Sequence, residues 1–170
     1  MKVIFDLDMD KCVACGACAI ACMDQNDIWP DRGDKPFRTV GTLEPFPGSG
    51  RIGYFSIACM HCDDAPCIIA CPVCCIKKDV DTGLTVYDNS LCICCHSCAM
   101  ACPIGAPNYD KDGKMCKCKG CEERVKNNLQ PACVRICPTG ALTCKTREEQ
   151  EKYIAAGGAS LREYMKNGKQ

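Results

Sequence analysis

The chain has few of the residues that usually build a core or a catalytic centre. Of its 170 residues, four are phenylalanine, one is tryptophan and two are histidine, His61 and His96. So few large apolar side chains leave a core that needs a cross-link or a bound group to hold it. Net charge is also missing: Lys+Arg and Asp+Glu are both 21. Nothing in that balance suggests nucleic acid binding. No apolar run approaches the roughly 18 residues of a membrane-crossing helix, so no direct membrane span is expected. There is no Gly-rich nucleotide loop and no nucleophile–base set, so no catalytic residue is assigned. The first ten residues read MKVIFDLDMD, with acidic side chains where a secretory signal would be apolar. The expected location is therefore cytoplasmic.

Cysteine is abundant, at 21 residues. In a short secreted chain such a share would suggest a disulfide scaffold. The odd count, the repeated spacings and the missing signal argue against it. Zinc sites use paired C-x2-C half-sites, often with histidine, whereas the units here are triplets plus one. Sixteen cysteines fall into four blocks: Cys12, Cys15, Cys18 and Cys22; Cys59, Cys62, Cys67 and Cys71; Cys92, Cys95, Cys98 and Cys102; Cys118, Cys121, Cys133 and Cys137. A [4Fe–4S] cube needs four converging thiolates, three from one tight loop and one from elsewhere. Four blocks of four predict four [4Fe–4S] clusters. Each oxidised cube with its thiolates is dianionic, so the loaded chain carries about −8 beyond its formal charge.

Between the blocks the sequence reads as short strands and turns. Residues 3–8 alternate as a strand, and Ala141, Leu142 and Thr143 form a second that could pair with it. Residues 23–58 form an insertion with turns at Trp29-Pro30-Asp31 and Pro47-Gly48 and strand candidates at 37–40 and 54–58. Residues 76–80 and 84–87 flank Asp81-Thr82-Gly83 as a hairpin. From Arg147 the chain turns helical, is interrupted at Gly157-Gly158, and resumes at 161–166 as a surface or docking helix. The basic stretch Lys111, Lys114, Lys117, Lys119, Arg124 and Lys126 reads as solvated surface or as compensation for anionic cubes. His61 and His96 are expected to donate hydrogen bonds to a sulfur or a carbonyl. Trp29 is expected to pack.

The run of triplet, Cys-Pro, hairpin, triplet, Cys-Pro in blocks two and three resembles a bacterial two-cluster ferredoxin. There the last cysteine of each run serves the other cluster. Pro72, Pro103 and Pro138 follow Cys71, Cys102 and Cys137, whereas Met23 follows Cys22. Carried onto this chain, the rule gives four sites. Site a is Cys12, Cys15, Cys18 and Cys137. Site b is Cys59, Cys62, Cys67 and Cys102. Site c is Cys92, Cys95, Cys98 and Cys71. Site d is Cys118, Cys121, Cys133 and Cys22. The expected fold is α+β and loop-rich: two nested 2[4Fe–4S] ferredoxin-like modules with short β-hairpins. Residues 1–58 with 103–146 form the outer module, 59–102 the inner, and 147–170 a helical tail.

The wider pattern is similar to the four-cluster iron–sulfur subunits of molybdenum and tungsten pterin oxidoreductases, including those of dimethyl-sulfoxide-reductase type and formate dehydrogenases. Cys59-Met-His-Cys62-Asp-Asp-Ala-Pro66-Cys67, Lys117-Cys118-Lys-Gly-Cys121 and Pro131-Ala-Cys133-Val-Arg-Ile-Cys137-Pro-Thr-Gly140-Ala-Leu142 carry the resemblance. It implies an electron-transfer subunit, not an enzyme on its own, that relays single electrons. Its partners would be a molybdenum or tungsten pterin catalytic subunit and a second redox partner: a ferredoxin, a hydrogenase, or a flavin or NAD subunit. A freestanding polyferredoxin or a hydrogenase-linked electron wire, either of which could self-associate, is the alternative. The chain departs from the pattern at Cys74 and Cys75 after Pro72, and at Cys94 inside block three. With Cys116 and Cys144, these surplus cysteines are expected to be small buried thiols.

Overall fold

The computed structural model describes residues 2–43 and 52–167. The Pro47-Gly48 turn lies outside them. Four two-stranded antiparallel sheets and seven short helices make up the described residues, a mixed and loop-rich fold. β1 (Val3–Leu7) pairs with β8 (Leu142–Thr146), Val3 opposite Thr146 and Leu7 opposite Leu142. Phe5 and Leu7 point into an apolar cluster with Leu84, Val86, Ala141, Leu142 and Leu161, as period-two alternation dictates. Asp6 points the other way and is also buried, because the tail covers it.

The tail consists of α6 (Arg147–Ala155) and α7 (Leu161–Asn167). A capping box starts α6: the Thr146 hydroxyl accepts from the Glu149 N–H at 3.3 Å, and the Glu149 carboxylate accepts from the Thr146 N–H at 2.8 Å. Such a cap contributes about 1 kcal/mol. The Gln150 amide donates to the Asp6 carboxylate, which also accepts from the Arg162 N–H at 3.2 Å. The Arg162 guanidinium donates to the carbonyls of Met60 at 2.8 Å and Phe5 at 3.3 Å. The tail therefore clamps β1 to the loop between Cys59 and Cys62.

β2 (Thr39–Leu43) pairs with β3 (Gly53–Ile57), and β4 (Ile76–Lys78) with β5 (Thr85–Tyr87). The β4–β5 turn is held by Asp79, whose carboxylate accepts from the Thr82 N–H at 2.8 Å and its hydroxyl at 2.7 Å. A further hairpin, β6 (Asn108–Tyr109) with β7 (Met115–Cys116), is absent from the sequence expectation. Its turn is built by Asp110, which accepts from the N–H groups of Asp112 at 3.0 Å and Lys114 at 2.9 Å. Gly113 supplies the left-handed residue, φ 75°.

Five short helices lie among the cysteine blocks. α1 (Ala17–Gln25) carries Cys18 and Cys22 and packs on α5 (Ala132–Arg135), which carries Cys133. α2 (Pro66–Ile69) carries Cys67 and packs on α3 (Ser97–Ala101), which carries Cys98. α4 (Glu122–Lys126) starts directly after Cys121. A second apolar cluster, around α2 and α3, is built largely of sulfur: Cys67, Cys71, Cys75, Cys98 and Met115 join Ala65 and Ile76.

Candidate cluster sites

One loop shape recurs in all four blocks. The residue before the second cysteine is left-handed each time: Ala14 at φ 50°, His61 at 47°, Cys94 at 58° and Gly120 at 73°. Three of these four are not glycine, and left-handed backbone costs such residues about 1–2 kcal/mol each. Repeated strain of that kind marks loops shaped for a ligand. At Gly120 a side chain is also excluded sterically: a Cβ there would stand 2.6 Å from Leu84 Cδ2.

In three of the four sets the sulfurs line a recess, and the fourth sulfur of each comes from another block. One recess is lined by Cys12, Cys15, Cys18 and Cys137. Another is lined by Cys59, Cys62, Cys67 and Cys102. A third is lined by Cys22, Cys118, Cys121 and Cys133. For the remaining four the link is electrostatic: the charge of Cys71 acts on Cys95, and that of Cys92 on Cys98. Among the described residues no three or more Cys, His, Asp or Glu side chains close on a point that would hold a single metal ion. In three sets the thiols line a recess, as a polynuclear cube requires.

The donors around the sulfurs suit thiolates. Backbone N–H groups of Ala106, Leu142, Met115 and Gly120 donate to Cys102, Cys137, Cys92 and Cys118 at 3.3–3.5 Å. Side-chain donors reach others: Asn26 Nδ2 to Cys22, Arg38 Nη2 to Cys133 and Lys117 Nζ to Cys59, each at 3.7 Å. Bonds of this kind favour the charged sulfur and tune a cluster bound to it. After each Cys-Pro the third residue beyond the cysteine is left-handed: Cys74 at φ 51°, Gly105 at 61° and Gly140 at 64°. This turn folds the following amides back onto the sulfur. Cys74 thus stands where the other two turns have glycine.

Two buried side chains, Arg38 and His61, link neighbouring sites. Arg38, 5% exposed, donates to the Ser56 hydroxyl at 2.9 Å and carbonyl at 3.3 Å. Ser56 Oγ lies 3.2 Å from Cys18 Sγ, so Arg38 joins site a to site d. Burial works against its charge, but the thiols of Cys133, Cys118, Cys18 and Cys22 outweigh it and raise its pKa. His61 is buried; its Nδ1 accepts from the Thr85 N–H at 2.9 Å, so the proton sits on Nε2, 3.8 Å from Cys118 Sγ. Burial, then the charges of Lys117 and Lys78, push its pKa well below the usual value and keep it neutral. His61 therefore joins the site-b loop to a sulfur of site d, as a donor to sulfur.

Several expectations need correction. His96 is exposed and stacks on Tyr109 at 3.9 Å instead of donating to a sulfur. Of the two readings of the basic stretch, solvated surface fails at Lys117, which is fully buried. Trp29 is 48% exposed, its Nε1 bonded to Asp27 at 2.6 Å. Among the surplus thiols only Cys75 is buried, its Sγ 3.4 Å from Cys71 Sγ. Cys74 is exposed, and Cys94, Cys116 and Cys144 are half-buried. Arg38, Ser56 and Asn26 carried no signal in the sequence. Among the described residues no helix is long and apolar enough to cross a membrane.

Residues 51–147 match the family of the 4Fe-4S dicluster domain. The chain is 37% identical over 158 residues to the B subunit of anaerobic dimethyl sulfoxide reductase of Escherichia coli (strain K12), covering 87% of this chain and 75% of that one. It is 35% identical over 169 residues to the hydrogenase-2 operon protein HybA of Escherichia coli O157:H7, covering 84% and 51%. The iron-sulfur subunit of the nitrate-inducible formate dehydrogenase of Escherichia coli (strain K12) is 32% identical over 158 residues, covering 84% and 54%.

Proposed function

This protein belongs to the 4Fe-4S dicluster family and binds [4Fe–4S] clusters, and from that premise we propose that it is an electron-transfer subunit relaying single electrons through four of them. The ligand sets of this reading are the crossed ones: Cys12, Cys15, Cys18 and Cys137; Cys59, Cys62, Cys67 and Cys102; Cys92, Cys95, Cys98 and Cys71; Cys118, Cys121, Cys133 and Cys22. The observation that carries it is that three separate recesses are each lined by three cysteines of one block and the closing cysteine of another. When bound, the clusters supply one-electron carriers.

The protein's own part is to set the sites in file and to surround their sulfurs with donors. The proposed order is a, d, b, c. Arg38 and Ser56 bridge a to d, and His61 and Lys117 bridge d to b. Helices α2 and α3, packed together, carry cysteines of both b and c. Both ends of the file reach the surface, since Cys15 and Cys95 are exposed beside exposed Val13 and Ile93. In this reading a molybdenum or tungsten pterin catalytic subunit docks at one end and a second redox partner at the other, in the cytoplasm. Residues 1–58 with 103–146 act as the outer module around 59–102.

The test is anaerobic purification of the protein with whatever it binds in its source cell. About sixteen iron and sixteen sulfide per chain are expected from four cubes, together with a large pterin-containing subunit in constant ratio. Twelve iron or fewer would leave one proposed site vacant. A fully loaded protein recovered without a partner would point to a freestanding carrier.

A further inference from the structure

Among the described residues, Lys117 is the largest side chain with no exposed surface. Its ammonium donates to the carbonyls of Thr85 and of Cys118, the latter at 3.0 Å, and reaches Cys59 Sγ at 3.7 Å. The Tyr87 ring centroid lies 5.8 Å away. Among the described residues no carboxylate pairs with it. A buried charge is retained only where something balances it. Two carbonyl dipoles and a ring face solvate an ammonium but leave its full charge uncompensated. The anionic groups left to compensate it are the thiolates of site b: Cys59 is in contact, and the charge of Lys117 also acts on Cys67. Lys117 lines that recess directly.

The other sites differ. Lys117 and Arg38 are the only buried Lys or Arg among the described residues, and Arg38 serves d and a. The site-c sulfurs meet neutral groups instead: the Met115 N–H at Cys92, the Tyr109 hydroxyl at Cys98 and the Cys75 thiol at Cys71.

We propose that Lys117 is a fixed positive charge that raises the reduction potential of the cluster at site b above that of the cluster at site c. The inference rests on the ligand sets proposed above. The step concerned is the gain of one electron from a reductant, dithionite in the assay, with no proton moved and no bond made or broken. That step adds one negative charge to the cube, and a nearby ammonium in a water-poor site stabilises the product more than the reactant. Lys117 is thus a positioning residue: it acts through charge on the cluster and touches no substrate.

The experiment is a redox titration of the loaded protein, followed by electron paramagnetic resonance. Iron content of the unsubstituted protein comes first; a shortfall there sinks the ligand sets and leaves the charge argument to be judged apart. The site-b signal is identified as the one lost in Cys59→Ser. In Lys117→Gln the equilibrium constant for reducing the site-b cluster should fall by on the order of ten- to a hundredfold, about 59 mV per tenfold. The site-c cluster should keep its value. Lys117→Arg, which keeps the charge, should leave site b within about threefold of the parent on the same scale. Lys119→Gln, a charge removed from the exposed side of Tyr87, should move neither. An unmoved site b in Lys117→Gln, or an equal shift at all sites, overturns the proposal. If Lys117→Gln does not hold iron, Lys117→Arg decides: a loaded protein with parental site b supports the charge role. A loaded protein with a lowered site b refutes it. Failure of both variants to load also refutes it, because the residue would then be a packing element.

Discussion

The α1–α5 crossing and the α2–α3 crossing are built alike, and they part at one position. Proline follows Cys71, Cys102 and Cys137, and it pushes the residue before it out of the helical region. Cys102 accordingly sits at φ −81°, ψ 116° and ends α3. Met23 follows Cys22, and α1 runs on to Gln25. The amides after Cys22 therefore stay in the helix, and none turns back to its sulfur as Ala106 does to Cys102. Asn26 makes up the loss from the next turn, its Nδ2 bonding the Cys22 carbonyl at 2.7 Å and the sulfur at 3.7 Å. One residue thus decides whether a ligand sulfur is served by backbone or by side chain.

The largest expected effect comes from the closing cysteines themselves. Cys22→Ser should abolish or convert the cluster at d and spare a, and Cys137→Ser should do the reverse. Redox-titrated electron paramagnetic resonance reads both, after signals are assigned with Cys15→Ser and Cys121→Ser. If each substitution altered the cluster of its own block, the two crossings would be self-contained loops and the comparison would dissolve.

Next in size is thiol reactivity of the metal-free, reduced protein. Burial, then the charge of Cys133, pushes Cys22 up to about 11, and burial, then Cys59, pushes Cys118 up to about 12. Bonds to Ser97 lower Cys95. Cys137 is lowered too, because although burial acts to raise it, bonds from Leu142 and Thr139 prevail. The thiolate is the nucleophile. Alkylation should reach Cys95 and Cys137 first, and Cys22 and Cys118 only as pH climbs toward 11–12. Peptide mass spectrometry across pH gives the order, and uniform labelling would mean that site d is no more enclosed than the ends.

Two glycines sharpen the contrast between enclosed and open turns. Gly120→Ala adds left-handed strain and an overlap with Leu84, and should cost about 2–4 kcal/mol. Gly105→Ala adds strain alone, since nothing lies within 4 Å of its Cβ position, and should cost about 1–2 kcal/mol. Denaturation of the loaded proteins measures the difference. Last, Asn26→Leu should remove both Asn26 bonds to Cys22, about 0.5–1.5 kcal/mol each. It should leave c untouched, and a shift at c would break the assignment of Asn26 to the α1 crossing.

The spacing of the cysteines made the four loops legible, Asp81-Thr82-Gly83 made a hairpin legible, and the helical run from Arg147 with its break at Gly157-Gly158 made the tail legible. These signals are local, so a short window holds them. The β6–β7 hairpin had a local signal as well, Asp110 with Gly113, hidden inside a run of lysines. What could not be read was burial of charge. Lys117 meets Cys59 across 58 residues and Arg38 meets Cys133 across 95. Inside a basic stretch, a lysine that will be enclosed looks like any that will be solvated. His96 was misread because the partner that captures it, Tyr109, lies on that hairpin.

The recess shared by Cys12, Cys15, Cys18 and Cys137 has a consequence for synthesis on the ribosome. The loop that emerges first is the one completed last, because its fourth wall is more than a hundred residues downstream. The four cysteines of the Cys59–Cys102 recess are all in place earlier, before Cys137 is made. Closing long loops is slow relative to closing short ones. A nascent polypeptide should therefore mature from the middle outward, with the N-terminal thiols held reduced and waiting until β8 joins β1.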